Sequence, residues 1–530
     1  MSTTAEDSGL LSSGRAMAIG TLLSRATGLV RTILVATVIG LMLAGDAFNV
    51  ANTVPNIVYE LLLGGVLTSV IVPLLVRAGH EDSEAGEVYA QRLLSAVVLV
   101  LGAATIVAVL LAPWLMKIWM DAQTPGQRRM ATTLARYFLP QIFFYGVGAT
   151  LSAILNSRGS FAAPMWTPIL NNVVGIATLL ALLAMHPGKD DLTAAQLSLL
   201  GIGTTLGIVV QTVALFPSLR AVGFRVRLTV RLRGTGLGRA LRLGTWTLVY
   251  VAANQVAFLV VTRLATGLRP HFSVYLNAFL VVSLPHAIVA VSVISALLPQ
   301  MSRHAAAGDN AEIARDLARG TRLAAVALVP AALLLIALQQ PIAHLLFGYG
   351  KSAADAGAIG NALVYFALGL VPFSAFQVQL RAFYALADTR TPALINIAVN
   401  AANIAADLVL FAVLPANERL YGLAAGYSLS YVVAWIVTTR VLSARLGRLG
   451  TSRTVRLLTR LLVAGGLGAA LALGIADACA RVLGKGFAGS AAAVVVGGAA
   501  ACVVVVVVAR RLRVAEIEEL VAVVLRRPAR

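Results

Sequence analysis

Apolar runs long enough to cross a bilayer recur fourteen times along this 530-residue chain. That leaves few ways to fold. In hydrocarbon every backbone amide must be satisfied internally, so such runs become helices packed as a bundle. Their limits read 16–43, 47–76, 93–116, 134–156, 161–185, 197–217, 243–267, 272–299, 323–347, 361–386, 392–414, 421–440, 458–480 and 488–508. The expectation is an all-α, polytopic membrane protein of about fourteen spans. Only 12% of residues are charged and mean hydropathy is +0.87, against about 25% charged in soluble domains.

The formal net charge is +20. In a soluble protein that balance would suggest nucleic acid. Here the basic residues follow the loops instead. Counting the span-end residues Arg136, Arg440 and Arg460 with the adjoining loops, twenty-eight Arg and Lys fall on the side of the termini, ten on the other side, and four (Arg25, Arg31, Arg263 and Arg381) within spans, which accounts for all 42. The positive-inside rule therefore puts both termini in the cytoplasm of a multi-pass plasma-membrane protein, with no nucleic-acid partner. The densest cluster, Arg220 to Arg242, reads as a cytoplasmic linker between two halves that meets anionic lipid headgroups. Residues 1–14 read as a polar cytoplasmic tail rather than a cleaved signal peptide. Cys479 and Cys502 lie in apolar runs, and no HExxH, Cys cluster or Walker A loop is present. The chain is thus expected to bind no metal or nucleotide and to be no enzyme.

An internal repeat supports two halves. Pro140, Asn156 and Arg158 recur as Pro372, Asp388 and Arg390, offset by 232 residues, and each set is followed by Pro164 or Pro392 and then by Asn171 and Asn172 or Asn400. The expected division is 1–14 tail, 15–218 first six-helix half, 219–242 linker, 243–445 second six-helix half, 446–509 helices thirteen and fourteen, and 510–530 basic tail.

Polar groups inside the spans carry the functional signal, because a charge at bilayer depth costs at least ~2.5–3.5 kcal/mol. Arg25 and Arg31 lie about 14 and 22 Å along a helix that starts at Ala16, and about 120° apart around it. Neither is near an end, which disfavours snorkelling to an interface. Two guanidiniums lining one wide cavity match the oxygens of a diphosphate. In span two, Asp46, Asn49, Asn52, Asn56, Tyr59 and Glu60 share one helical face. Span eleven carries Asn396, Asn400, Asn403 and Asp407 at steps of four, three and four. Interhelical hydrogen bonding would account for the asparagines. Asp407 is harder to place without a ligand, and with Asn403 one turn away it is a candidate site for a monovalent cation. In span ten Gln377, Arg381 and Tyr384 share a face, and in span eight His286 is the only histidine deep in a span.

At these residues the chain resembles the MurJ/MviN family, lipid II flippases of the multidrug/oligosaccharidyl-lipid/polysaccharide exporter superfamily. The resemblance spans roughly residues 14–445. It is most specific in SRATGLVR (24–31), GDAFNVANTVPN (45–56), ILNSRGSFAAPMWTPILNN (154–172) and FYALADTRTPALINIAVN (383–400). It implies two six-helix halves around a cationic cavity, with helices thirteen and fourteen forming a lipid-tail groove. It places Arg25, Arg31 and Asp46 at essential cavity positions. Two further arginines of better-known members are replaced, by Tyr59 and by Leu280, and the acid following the first is displaced to Glu60. Arg263 in span seven is the compensating candidate. Asn403 and Asp407 resemble two ligands of a sodium site described for some members, while a further acid of that site corresponds to Thr262. The cytoplasmic pseudokinase region of larger actinobacterial members is not expected.

The implied function is translocation of undecaprenyl-diphosphate-linked peptidoglycan precursor from the cytoplasmic to the outer leaflet by alternating access. The alternatives are export of another lipid-linked glycan or small molecule of the same superfamily, or a non-transporting cell-wall scaffold. The expected partners are the lipid-linked glycan, membrane lipids, and proteins of cell-wall synthesis and division. No cofactor is expected, and membrane potential is the expected drive, ahead of any specific cation.

Overall fold

The computed structural model describes residues 3–61, 83–188, 191–229, 237–269 and 271–517. Among these residues there is no strand, and thirteen helices are long and apolar enough to cross a membrane. Helix α1 is Thr3–Ile39 and α2 is Leu43–Leu61. The expected polar tail is thus the first turns of α1, while the second half of the 47–76 span lies outside the described residues. The remaining spans appear as α3 (Ser83–Leu110) with α4 (Ala112–Trp119), α5 (Pro125–Phe138) with α6 (Gln141–Ser157), α7 (Ala162–Ala184), and α8 (Ala194–Val213) with α9 (Phe216–Ala221). Then follow α10 (Leu237–Thr266), α11 (Phe272–Ala306), α12 (Asn310–Ala337) with α13 (Gln339–Phe347), α14 (Ala356–Ala385), α15 (Arg390–Val413), α16 (Arg419–Leu446) and α17 (Thr451–Leu483). The last span is α18 (Phe487–Ala492), a π-helical turn Ala493–Gly497, and α19 (Gly498–Arg511).

Local chemistry sets the boundaries. Thr124 caps α5 by accepting from the Gln127 N–H, with Pro125 at the first helical position, where its missing donor costs nothing. Thr193 and Gln196 form a capping box at α8. Asp309 accepts from the Glu312 N–H at 3.0 Å and starts α12. Span four breaks at Leu139–Pro140, whereas its repeat partner Pro372 sits inside a continuous α14.

The chain forms two compact units, 1–255 with 262–267, and 256–261 with 268–530, so α10 contributes to both. In the first unit α1 runs along α7, α7 along α8, α2 against α5 and α3 against α6. Leu93, Leu151, Ile154, Leu215 and Phe224 form a core beneath α3 and α6. In the second, α14 packs on α11, α12 and α16, α15 packs on α16, and α17 packs on α12 and α19. The segment after α19 is held back onto this unit. Val514 and Ile517 join a core with Leu457 and Leu461, and Arg322 Nε meets Glu516 Oε1 at 2.9 Å with both side chains mostly buried.

The two repeat junctions share a form but differ by one turn. Each preceding helix ends in a six-to-one bond, Ser160 N–H to Leu155 O and Asp388 N–H to Phe383 O. Ser157, the end of α6, corresponds to position 389 at the 232 offset, yet α14 ends four residues earlier at Ala385. In the first junction Arg158 donates to Val222 O at 3.1 Å and lies over the Phe224 ring. In the second, Asp388 accepts from the Thr391 N–H at 2.9 Å and hydroxyl at 2.6 Å and from Arg445 Nη1 at 2.6 Å.

Candidate functional site

In the first unit α7 fixes α1 through amides. Asn172 Nδ2 donates to Ser24 O and to Thr27 Oγ1, each at 3.0 Å, which pins the turn that carries Arg25. Arg25 itself is exposed and makes no hydrogen bond or ion pair among the described residues. Arg31 is half-buried, and its Nη1 donates to Asn171 Oδ1 at 3.4 Å. Gly175 makes that position accessible. A Cβ there would lie 2.8 Å from Arg31 Nε, so the missing side chain is the notch in which the guanidinium lies. The result is a cation held by one weak neutral contact and an exposed cation two turns away.

Helix α2 presents its polar face as the spacing predicts. Asp46 is fully buried in the first turn, while Asn49, Asn52 and Asn56 are half-buried. Asn56 Oδ1 accepts from the Tyr145 hydroxyl at 3.1 Å, and the Tyr145 ring lies 4.5 Å from that of Tyr59. Arg31 is within electrostatic reach of Tyr145. Tyr59 therefore adds a second aromatic ring beside the Tyr145 hydroxyl. Glu60 is exposed and accepts from Gln255 Nε2 at 3.1 Å. Arg263 is exposed at the end of α10 and donates to the carbonyls of Lys117 (2.9 Å) and Ile118 (3.1 Å). Those bonds satisfy open carbonyls at the C-terminus of α4, where a cation also complements the helix dipole. The structure thus gathers Arg31, Asn56 and Tyr59 around Tyr145, and gives Arg263 a capping task.

In the second unit the α15 stripe turns inward. Asn400 Nδ2 donates to Asn396 O at 2.8 Å, and Asn403 Nδ2 donates to Asp407 Oδ2 at 3.0 Å. Asp407 is fully buried, and its Oδ1 has no hydrogen-bond partner among the described residues. That oxygen faces α16 at Gly426, where any Cβ would overlap it. An unsatisfied buried carboxylate oxygen costs ~1–3 kcal/mol or more, so a proton or a cation is the natural complement. Among the described residues no three His, Cys, Asp or Glu side chains gather as a metal site. Nearby, Phe366 packs edge to face with Tyr275 and Tyr427, and Tyr431 lies tilted against Tyr427. Arg381 lies over the Tyr384 ring at 5.5 Å, and His286 Nδ1 is 2.9 Å from the Ser374 hydroxyl.

Tyr145 and Gln255 were not legible beforehand. Each is a single polar residue in an apolar helix, and only the tertiary contact gives it a role. Asn171 and Asn172 were visible as a repeat element, without their partners.

The fold and the intramembrane cations together define a polytopic membrane transporter. A family model described as lipid II flippase MurJ matches residues 35–497. The chain belongs to that family. It is 28% identical over 391 residues to a lipid II flippase MurJ of Burkholderia cenocepacia, covering 72% of this chain and 74% of the relative. It is 27% identical over 468 residues to a probable lipid II flippase MurJ of Vibrio cholerae, covering 86% and 87%. Its fold is similar to that of lipid II flippase MurJ in an inward closed conformation, with TM-score 0.75, 18% identity, and 94% and 99% of the two chains covered. It is also similar to an inward-facing multidrug resistance MATE family transporter of the MOP superfamily, with TM-score 0.65, 15% identity, and 81% and 96% covered.

Proposed function

We propose that this chain moves a lipid-linked, diphosphate-bearing peptidoglycan precursor, lipid II, from the cytoplasmic to the outer leaflet by alternating access. The observation that carries the reading is the pair on α1. Arg25 is open, and Arg31 lies in the Gly175 notch with only an amide oxygen against it. A diphosphate offers each guanidinium charged oxygens that Asn171 does not, so substrate outcompetes the resting contact. Asp46, Asn49, Asn56 and Glu60 complete the polar lining from α2. The prenyl tail stays in lipid along α17 and α19. Both termini face the cytoplasm, as the 28-to-10 distribution of basic residues supports. Proteins of cell-wall synthesis and division are its partners.

No cofactor is used. The potential, negative inside, acts on net charge at ~2.3 kcal/mol per charge per 100 mV. It favours outward passage of an anionic diphosphate and inward return of the emptied cationic site. The open Oδ1 of Asp407 supports a secondary role in which a proton or monovalent cation, held with Asn403, stabilises one state of the second unit. Depletion of the protein tests the whole reading. Lipid II should accumulate in the inner leaflet, and accumulation of a different lipid-linked glycan would replace the substrate.

A further inference from the structure

Basic residues are sparse on the side opposite the termini, yet four of the ten there, Lys117, Arg128, Arg129 and Arg136, fall in one short stretch. Positive-inside sorting works against such a cluster, so it needs a separate reason. The fold brings three of the four together. A cavity of about 620 Å³ lies between α4 and α5 in the first unit, lined by Arg128, Arg129 and Arg136, with no residue of α1 or α2 in its wall. Its volume falls in the range of small-ligand sites, about 300–1,000 Å³. All three guanidiniums are exposed and make no hydrogen bond or ion pair among the described residues. No acid among those residues lines the cavity. Asp121, the one acid of the stretch, lies against Gly267 instead.

The wall is fixed before any ligand arrives. Gln123 N–H donates to Gln127 Oε1 at 2.8 Å, and Gln123 Nε2 donates to Thr266 O at 3.3 Å. Thr124 Oγ1 accepts from Gln127 N–H at 3.1 Å, which leaves its proton free to donate into the cavity. The site therefore offers donors and positive charge in a set position, which favours a ligand rich in anionic oxygens. Three cations exceed the single charge of a phosphodiester and match a diphosphate better. Pro113 also lines the cavity, and its neighbours Leu110, Leu111 and Trp114 are large and exposed. That surface suits hydrocarbon, and Trp is a residue of membrane interfaces. A charged cavity beside an apolar surface asks for both features in one molecule.

We propose that this cavity binds the diphosphate of a polyprenyl-diphosphate-linked lipid, with the chain lying over Leu110 and Trp114. It is a second station for cargo of the same chemistry, and its place in the outer leaflet rests on the function and orientation proposed above, while the binding does not. Native mass spectrometry of the purified full-length protein in neutral detergent, with undecaprenyl diphosphate as the probe, tests it without a transport assay. Binding should persist when Arg25→Ala and Arg31→Ala remove the α1 pair. In that background Arg128→Gln, Arg129→Gln and Arg136→Gln together should weaken it at least about tenfold. Trp114→Ala should weaken undecaprenyl diphosphate and leave inorganic diphosphate unchanged. No binding once the α1 pair is removed, or binding that the three glutamines leave unaltered, would overturn the cavity as a site. Equal competition by inorganic diphosphate would give it to a soluble anion, and equal competition by phosphatidylglycerol to any anionic lipid; either result overturns the assignment. Loss of bound lipid through the three glutamines alone, with none lost at Arg25 and Arg31, would sink the reading of the α1 pair and uphold this one.

Discussion

Two polar stripes of similar spacing, on α2 and on α15, have been put to opposite uses. The α2 stripe reaches outward to other helices. Asn56 takes the Tyr145 hydroxyl, Glu60 takes Gln255, and Arg31 of α1 stands within reach of the same tyrosine. The α15 stripe makes bonds within its own helix. Asn400 bonds Asn396, Asn403 bonds Asp407, and the remaining carboxylate oxygen abuts Gly426. Helical spacing alone cannot tell these cases apart. What separates them is the residue one helix away, a hydroxyl or amide in the first unit and a bare glycine backbone in the second. In the function proposed above, the first stripe lines the place for a large charged group, and the second the place for something no larger than an ion.

Removing the cation from the first unit should produce the largest effect. Arg31→Ala and Arg25→Ala should each abolish complementation of a depletion strain while the protein still reaches the membrane. Each loses a charge-assisted contact of ~1.5–3 kcal/mol, about 10- to 100-fold in substrate affinity. Arg31→Lys should recover part of the function, since it keeps the charge and loses the fork. Full complementation by both alanine variants would erase the contrast between the stripes. Gly175→Ala should cost less, because it displaces the guanidinium without removing it.

Changes in the second unit should be milder for transport and more costly for folding. Asp407→Asn keeps the shape and removes the charge, so flipping at a clamped potential should persist at about half or more of its rate, within about 0.4 kcal/mol of the original barrier. Arrest by that variant, or by sodium removal at unchanged potential, would promote the α15 stripe to the coupling site. Gly426→Ala should lower stability by ~1–3 kcal/mol in a thermal melt, as overpacking against Asp407.

The smallest effect separates the two repeat junctions. Burial acts to raise the Asp388 carboxyl. The Thr391 hydroxyl and N–H and the Arg445 guanidinium outweigh it and hold the group below its ordinary value. A depressed carboxyl stabilises the fold above the ordinary carboxylate pKa of about 3.9, and that contribution is lost as pH falls through the lowered value. Arg445 is well exposed, so the pair is worth only ~0.2–1 kcal/mol. Asp388→Asn should therefore lower the melting temperature slightly at pH 7, with the difference closing as acid is added. The first junction rests Arg158 on a backbone carbonyl and an aromatic ring. Arg158→Gln should show no such closing.

Much of this was legible in sequence. Hydrocarbon imposes its rule segment by segment, so each expected span within the described residues is helical, although α1, α3 and α12 begin ten or more residues earlier than expected. Arg31 and Asp407 were legible as costly groups at depth. Their surroundings were not, because a notch such as Gly175 is defined by a residue 144 positions away. Arg263 shows the limit from the other side. Its position suggested added cavity charge, while the folded chain gives its donors to the open end of α4.

The π-helical turn at Ala493–Gly497 makes the last span sensitive to length in an uncommon way. Such a turn is an α-helix carrying one extra residue. Deleting a single residue there would restore regular winding and leave everything downstream facing as before, because the wide turn absorbs that residue, whereas the same deletion in the α-helical winding just beyond it would swing everything downstream by about 100°. Ala501, Val505 and Ala509, one buried row, would rotate off their seat, and Val514 and Ile517 would follow. The turn is thus the place in this span where relatives are expected to lose a residue without turning the buried row, while gaps elsewhere in it are expected to be rare.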